Sequence, residues 1–446
     1  MHSLRRALSA PTAMVCGWLV LAATCYPSLW GKDGAGLFKL DAWIYYHAVA
    51  QWHAGGSLYD WYANPADHLW PFTYPPFAAA VLTPLTWGSD RLAQVVLVLA
   101  TPACAALTSW AVLRALGTAR TVARGAAPWL AAGGVIVLEP LPKTMEYGQV
   151  NAVLMAMVAL DLLVVPERSR WRGVLSGLAA AFKLTPAIAV LVLLARRELR
   201  AAATMALTSL GVTALCWLVW PAESAEFFGS AMWDPGRAGL SDYSGNQNLM
   251  GLVARWLPED AWRPVWALAS LVVVLAAMAL LVSLTPQRWG RAPGRLLRAA
   301  SPRGPADGTE GGAREEDGLV MLLGLVIAMT TGLLVSPITW SHHWVWCLPL
   351  LVALTAAAHR WASPALWVTA LAGAAVFALA MQWWFPEQNH VEQDWPVWAG
   401  AVGSSYTWFA LAAGAVLWRE LRGLHRPDGA PGTEEDGAQR ARPTSD

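Results

Sequence analysis

WRPVWALASLVVVLAAMALLVSL, residues 262–284, is one of the long apolar segments from which the fold class can be predicted. A helix needs roughly 20 consecutive apolar residues to cross the hydrocarbon of a bilayer, and this stretch provides them. Arg263 lies near its start, and no acidic residue interrupts it. The pattern predicts a membrane-spanning helix. Similar long apolar stretches occur at 12–30, 91–113, 201–220, 318–335, 362–384 and 399–418.

Shorter or proline-interrupted apolar segments add further candidate spans, at 126–139, 150–165, 172–182, 185–195 and 343–358. Together with the long stretches they make about 12 spans. We interpret segment 76–87 as a half-helix or interfacial piece, because counting it as a span disrupts the charge pattern described below. The sequence therefore predicts an all-α polytopic membrane protein with about 12 transmembrane helices and a large first extracytoplasmic loop.

The composition supports a membrane protein and excludes other classes. Of the 446 residues, 56% are hydrophobic and only 14% are charged, with a mean hydropathy of +0.40. Soluble domains contain about 25% charged residues. The net charge of +1 gives no sign of a nucleic-acid partner. Five cysteines are scattered without metal-ligand spacing, so we expect buried, inert thiols.

The basic residues predict the orientation in the membrane. With the spans assigned as above, most of the 31 Lys and Arg residues fall on one side, which the positive-inside rule makes cytoplasmic. We expect a plasma-membrane protein with both termini in the cytoplasm and with residues 11–30 as a retained first span. The segments expected outside are 31–75, 140–149, 183–185, 221–247, 336–343 and 385–398.

The predicted domain organisation is one transmembrane domain over residues 1–423 and a tail over 424–446. The tail and the loop at 285–317 are rich in Gly, Pro, Arg and Glu, which predicts disordered cytoplasmic segments. Because no internal repeat is apparent, a transporter built from two related halves is disfavoured.

The first outer segment contains a candidate catalytic carboxylate. In KLDAWIYYHAVAQWH, residues 39–53, helical spacing places Asp41 and Tyr45 on one stripe. A carboxylate at the membrane edge can act as a general base on an acceptor hydroxyl. The alternative is a solvated aspartate at a helix start, where it favours the helix dipole. Further along, FTYPPF at 72–77 contains Tyr74. Its two prolines fix the backbone, which predicts a turn where the loop re-enters the membrane.

Two cations are candidates for binding a phosphate. Lys183 lies in AFKLTP, among apolar residues and beside the helix-breaking Pro186. A lysine at such a place is costly and rarely idle, although it can also extend to the interface. Arg237, in WDPGR, is the second candidate.

Amides, aromatic rings and a histidine pair complete the predicted site. Polar amides at a helix start suit capping and suit sugar hydroxyls equally. The candidates for binding a sugar or acceptor are Tyr45, Tyr74, Gln149, Asn151, Asn246, Gln247 and Trp340. His342 and His343 cannot share one helical face, so one faces the reaction and the other packs. No His/Asp spacing completes a set of metal ligands. We therefore expect no cofactor and keep a divalent metal ion as an alternative.

Seven stretches, in order over roughly residues 35–350, together resemble one family: LDAWIY at 40–45, GSLY at 56–59, FTYPPFA at 72–78, GQVN at 148–151, GVLSGLAAAFKLTP at 173–186, NQNLMG at 246–251 and SPITWSHHW at 336–344. The chain resembles bacterial glycosyltransferase family 87, which contains polyprenol-phosphate-mannose-dependent α-(1,2)-mannosyltransferases with the GT-C fold. Asp41 falls where that family places its catalytic aspartate, and one of His342 and His343 falls where it has an essential histidine.

The resemblance implies an inverting hexosyltransferase that acts outside the cytoplasmic membrane. Its expected partners are membrane lipids, a polyprenyl-phosphate sugar donor, with mannose as the sugar, and a glycolipid or lipoglycan acceptor. One alternative is a polyprenyl-phosphate-dependent arabinosyl- or glucosyltransferase. The alternative from another class is a lipid or solute transporter, but the polar groups gather at one predicted interface and not at mid-membrane, which favours the enzyme.

Overall fold

The computed structural model of the protein describes residues 10–29, 37–285 and 310–423, and most of these residues are helical. In the first part of the chain the elements are α1 Ala10–Cys25, α2 Leu40–His53, β1 Tyr62–Asn64, β2 Leu69–Pro71, α3 Pro76–Leu82, α4 Asp90–Ala115, α5 Arg120–Val137, α6 Pro140–Tyr147, α7 Asn151–Leu163 and α8 Val174–Phe182. In the second part they are α9 Val190–Ala195, α10 Leu199–Val219, α11 Pro221–Gly229, α12 Leu249–Trp256, α13 Glu259–Leu284, α14 Glu310–Val335, α15 Cys347–Arg360, α16 Pro364–Leu379, α17 Val397–Gly403 and α18 Ser405–Gly423.

Seven helical segments are long and apolar enough to cross a bilayer: Pro11–Leu29, Asp90–Ala115, Leu199–Val219, Glu259–Leu284, Asp317–Val335, Ser341–Arg360 and Pro364–Trp383. Two bent helix pairs raise the number to 9 if each pair is one span. The pair α5–α6 bends by 82° and the pair α17–α18 by 71°. The structure thus supports seven to nine spans by length and composition among the described residues, fewer than the 12 expected.

Individual span predictions differ from the structure where proline or glycine interrupts the helix. The stretch 399–418 was expected to be one clear span, but the chain turns between Gly403 and Ser405. The stretch 343–358, expected to be short, is part of a full-length span from Ser341 to Arg360. Residues 76–87 form a helix and a 3-10 turn that are too short to cross alone, in line with the half-helix interpretation.

The segment that the sequence predicts to be the first outer one departs from the all-α expectation. It contains the helix α2 and then a small antiparallel hairpin, in which Tyr62 pairs with Pro71 and Asn64 with Leu69. Two short strands joined by a tight turn pair their own backbone groups, so this loop does not need a helix to satisfy them. The hairpin leads the chain back to the helix α3.

Part of the predicted disorder lies outside the described residues, namely 286–309 and 424–446. The helix α14 begins at Glu310, so residues 310–317 of the predicted segment are helical. The apolar sequence that follows, GLVMLLGLVIAMTTGLLV at 318–335, stabilises the helix through packing, and the helix extends about two turns ahead of it.

A buried ionic cluster fixes one end of the helices α7 and α8. Arg172 and Arg196 each donate from Nε to the carboxylate of Glu198, at 2.7 Å in both cases. Arg172 also donates to the carbonyl of Leu162, at the end of α7. Asp161 accepts from the backbone N–H of Gly173 at 2.9 Å, at the start of α8. Because α7 has 13 residues and is therefore about 20 Å long, its other end lies far from this cluster.

Candidate active site

A cavity of about 710 Å³ lies at the other end of α7 and α8. It is lined by parts of α2, α11, α12 and α13 and by the loops near residues 70–75, 183–185, 231–238 and 336–343. Eight of the residues predicted from the sequence lie on its wall: Asp41, Tyr45, Tyr74, Gln149, Lys183, Arg237, Trp340 and His343. Four do not: Asn151, Asn246, Gln247 and His342.

Asp41 lies in the first turn of α2, at the wall of the cavity. Its Oδ2 accepts a hydrogen bond of 2.7 Å from Nε2 of Gln149. Burial raises the pKa of Asp41 to about 6, while the hydrogen bond from Gln149 and the positive charge of Lys183 act in the opposite direction. A carboxylate with a pKa near 6 remains ionised at neutral pH and is a stronger base than an exposed aspartate.

Gln149 reaches Asp41 because Gly148 allows close packing. The helix α6 ends at Gly148 in the left-handed region, with φ +69°. A Cβ on this glycine would lie 2.6 Å from the Cβ of Ala42 and 3.1 Å from that of Lys39. A side chain here would therefore push α2 away and would also be strained in its backbone conformation.

Lys183 lies at the break between α8 and the 3-10 turn Thr185–Ala189. Pro186 prevents a continuous helix there. The Nζ of Lys183 donates to Oδ1 of Asn151 at 3.0 Å and to the hydroxyl of Tyr74 at 3.4 Å. Within the described part of the chain, no carboxylate lies within ion-pair distance of this ammonium. Its charge is therefore available to an anion in the cavity.

The histidine pair is divided between two environments. Both residues lie in the 3-10 turn Ser341–Trp346, and their ring planes are at 87°. His343 faces the cavity, and its Nε2 is 3.4 Å from Nζ of Lys183. His342 packs against the ring of Tyr147 at 4.8 Å. The sequence left open which histidine faces the site, and the structure brings His343 to it.

Arg237 lies in the same cavity, in the 3-10 turn Pro235–Ala238. It donates to the backbone carbonyl of Tyr59 and, at 3.4 Å, to the hydroxyl of Tyr62. Its Nε is buried and has no hydrogen-bond partner among the residues that the structure describes. Trp340 also lines the cavity, and its ring packs edge-on against Tyr243 at 5.7 Å.

Asn246 and Gln247 are fully buried and bind backbone groups of the protein. Asn246 donates to the carbonyl of Ser241 and accepts from the N–H of Thr339, both at 2.8 Å. Gln247 donates to the carbonyl of Gly403 at 2.6 Å. Buried loop backbone needs such partners, and these amides supply them. The structure does not bring them to the cavity.

Sequence reasoning missed two charged residues. Arg263, at the start of α13, lines the cavity. Glu139, at the bend between α5 and α6, accepts hydrogen bonds from Ser341 and Trp383 at 2.8 Å and from Tyr406 at 2.9 Å. Both are charged residues at the end of an apolar run, and this position was the signal in the sequence. Across the described residues, no group of three or more His, Cys, Asp or Glu side chains is arranged to hold a metal ion.

The fold and the cavity define a multi-span membrane protein with a buried carboxylate and a cationic group in one pocket. The model of glycosyltransferase family 87 matches residues 72–301, and the chain belongs to this family. It is therefore a glycosyltransferase. Asp41 lies ahead of the matched residues.

Named relatives cover most of the chain. It is 34% identical over 411 residues, 87% of its length and 85% of the relative's, to a polyprenol-phosphate-mannose-dependent α-(1-2)-phosphatidylinositol mannoside mannosyltransferase of Mycolicibacterium smegmatis. A protein of the same name from Mycobacterium tuberculosis is 32% identical over 416 residues, 89% of this chain and 88% of the relative. A phosphatidylinositol pentamannoside mannosyltransferase of M. tuberculosis is 34% identical over 323 residues, 71% of this chain and 66% of the relative. No solved structure matches the chain.

Proposed function

We propose that this protein transfers mannose from a polyprenyl-phosphate donor to a phosphatidylinositol mannoside, with inversion at the anomeric carbon. The observation that carries the proposal is the meeting of Asp41, Lys183 and His343 in one cavity of a chain that belongs to a glycosyltransferase family. The donor and acceptor classes follow those in the names of the relatives.

Asp41 is the proposed general base. Its Oδ2 is occupied by Gln149, whereas its Oδ1 has no hydrogen-bond partner among the described residues. Oδ1 accepts the proton of the acceptor hydroxyl while the hydroxyl oxygen forms a bond to the anomeric carbon. On the opposite side, the bond between that carbon and the phosphate oxygen breaks, and polyprenyl phosphate leaves with the bonding electrons.

Lys183 and Arg237 are proposed to stabilise the departing phosphate. The donor phosphodiester has one negative charge, and a second develops as the phosphate leaves, so fixed cations favour the transition state. An ammonium only donates hydrogen bonds, so the Nε2 of His343 accepts in its contact with Lys183. We therefore assign His343 the role of orienting Lys183 and contacting the donor.

The sugar is proposed to lie against the aromatic side chains of the wall. Tyr45, Tyr74 and Trp340 present rings to the cavity, and aromatic faces suit the apolar faces of hexoses. The predicted amides Gln149, Asn151, Asn246 and Gln247 already bind protein groups. We expect them to shape the site, and we no longer assign them direct sugar contacts.

We further propose that the chain has the GT-C fold, with residues 1–423 as one transmembrane domain and the cavity on the extracytoplasmic side of the plasma membrane. The separation of charges supports this orientation, because the cluster of Arg172 and Arg196 lies at the end of α7 and α8 remote from the cavity. Reporter fusions after residues 67 and 168 test it. Residue 67 is expected outside and residue 168 inside, and the reverse result would refute the orientation.

The function is tested with purified protein in nanodiscs, radiolabelled polyprenyl-phosphate mannose and a phosphatidylinositol mannoside. We expect labelled glycolipid with the wild type and none with Asp41→Asn, which retains the shape of the side chain but cannot accept the proton. Asp60→Asn is the matched control, since Asp60 is an exposed carboxylate in the same outer segment and does not line the cavity. Substantial transfer by Asp41→Asn would remove Asp41 from its role, and no transfer by the wild type would refute the substrates.

A further inference from the structure

The side-chain amide of Gln149 links Asp41 to two buried tyrosines. Its Nε2 donates to Oδ2 of Asp41 at 2.7 Å. Its Oε1 accepts from the hydroxyl of Tyr45 at 2.8 Å and from that of Tyr74 at 3.1 Å. The two hydroxyls are also 3.0 Å apart, so the three side chains form one closed cluster at the wall of the cavity.

The carboxylate and the two tyrosines together fix which end of the amide faces Asp41. An amide has a donating and an accepting end, and a carboxylate only accepts. If the Gln149 amide were reversed, Oε1 would face the carboxylate of Asp41 and repel it, and the tyrosine hydroxyls would face an NH₂ group. The carboxylate therefore sets the orientation of the amide, and both hydroxyls reinforce it by donating to Oε1.

We propose that Gln149 is a positioning residue for Asp41, and that Tyr45 and Tyr74 hold its amide in the orientation this requires. With Oδ2 bound to Nε2, the carboxylate has one rotamer, and Oδ1 is the oxygen that faces the acceptor. This role differs from sugar binding, since both ends of the amide are used within the protein. The inference rests on the proposed function only in treating Asp41 as the base.

Removal of the amide changes the carboxylate in a way that can be measured without any substrate. A hydrogen bond to an ionised carboxylate favours the ionised form. In Gln149→Leu we therefore expect the midpoint of Asp41 titration to rise by about one pH unit, the typical effect of losing one hydrogen bond to a charged group. The probe is the infrared band of the protonated carboxyl group, assigned to Asp41 by its loss in Asp41→Asn.

Gln94→Leu is the matched control. Gln94 is also a buried glutamine next to α2, and its Oε1 accepts from the backbone N–H of Lys39 at 2.7 Å. It thus supports the start of α2 without touching the carboxylate of Asp41. If Gln149 acted only by holding α2 in place, both variants would shift the titration equally, and this result would overturn the proposal. An unchanged midpoint in Gln149→Leu would overturn it as well.

The double variant Tyr45→Phe/Tyr74→Phe provides a second test if Gln149→Leu does not fold. It retains the rings and the glutamine, but Oε1 loses both donors and the bond from Nε2 to Asp41 is held less firmly, so we expect a smaller upward shift in the same direction. No shift would refute the role of the tyrosines. Transfer assays distinguish this inference from the function. If Gln149→Leu shifts the Asp41 titration but the wild type transfers no mannose, the proposed substrates are refuted and the role of Gln149 stands.

Discussion

Replacing Lys183 with methionine removes the positive charge next to His343 and retains most of the side-chain volume. As the donor phosphate leaves, its charge grows by about one unit, and roughly half of this has developed in the transition state. A unit charge at about 4 Å, with an effective dielectric constant of ~20, contributes about 4 kcal/mol. Half of this is about 2 kcal/mol, which corresponds to a roughly 30-fold loss in kcat.

The assay measures kcat and the donor KM for wild type, Lys183→Met and Lys183→Arg in the same nanodiscs. We expect Lys183→Arg to recover part of the rate, because it restores the charge with a different geometry. Lys143→Met is the control, since Lys143 forms an ion pair with Glu146 at 3.4 Å and does not line the cavity. A kcat for Lys183→Met within about threefold of wild type, in protein with an unchanged Tm, would refute the assignment of Lys183 to the leaving group.

Three further predictions concern the base, the histidine pair and the turn before Gln149. The proposed base must be ionised, and burial raises the pKa of Asp41 to about 6. We therefore expect kcat/KM to reach its maximum above that pH and to fall about tenfold per pH unit below it. A flat profile of kcat/KM from pH 5 to 7 would contradict this. His343→Gln is expected to lower kcat by at least tenfold while His342→Gln mainly lowers Tm, measured in parallel, and equal losses of kcat would argue against the division between them. Gly148→Ala places a side chain on a left-handed backbone and brings its Cβ to 2.6 Å from that of Ala42. We therefore expect a loss of about 1–2 kcal/mol in stability together with reduced transfer. Unchanged activity and Tm would show that α2 has room to move.

The long spans could be predicted from the sequence because hydrocarbon imposes one simple requirement, a continuous apolar helix of sufficient length. The long stretches from 12–30 to 362–384 each correspond to one candidate span. The stretch 399–418 does not, since hydropathy alone does not register the turn after Gly403. The short segments were harder, because an apolar run of 10 to 14 residues is equally compatible with a half-helix, a buried helix or part of a bent span.

The candidate site was predicted in part. Asp41 and Lys183 could be identified because a charged residue at the end of an apolar run is costly and requires a reason. The position of His343 relative to His342 depends on the 3-10 turn in which they lie, and adjacent identical residues give no signal for this. The use of Asn246 and Gln247 by the backbone also could not be predicted, since an amide has the same hydrogen-bonding groups for a sugar and for a peptide.

Four polar residues at the wall of the cavity share one property, which is that each lies where a helix begins, ends or breaks. Asp41 is in the first turn of α2, Gln149 follows the left-handed Gly148, Lys183 follows the last residue of α8, and His343 lies in a 3-10 turn before α15. In a bilayer, irregular backbone is tolerated only where protein or a water-filled cavity surrounds it, because lipid offers no hydrogen bonds. The breaks therefore have to collect around a common polar space, and the side chains at the breaks meet there. It follows that Pro186 and Gly148, which have no polar side chain, determine where Lys183 and Gln149 lie as directly as any hydrogen bond in the site.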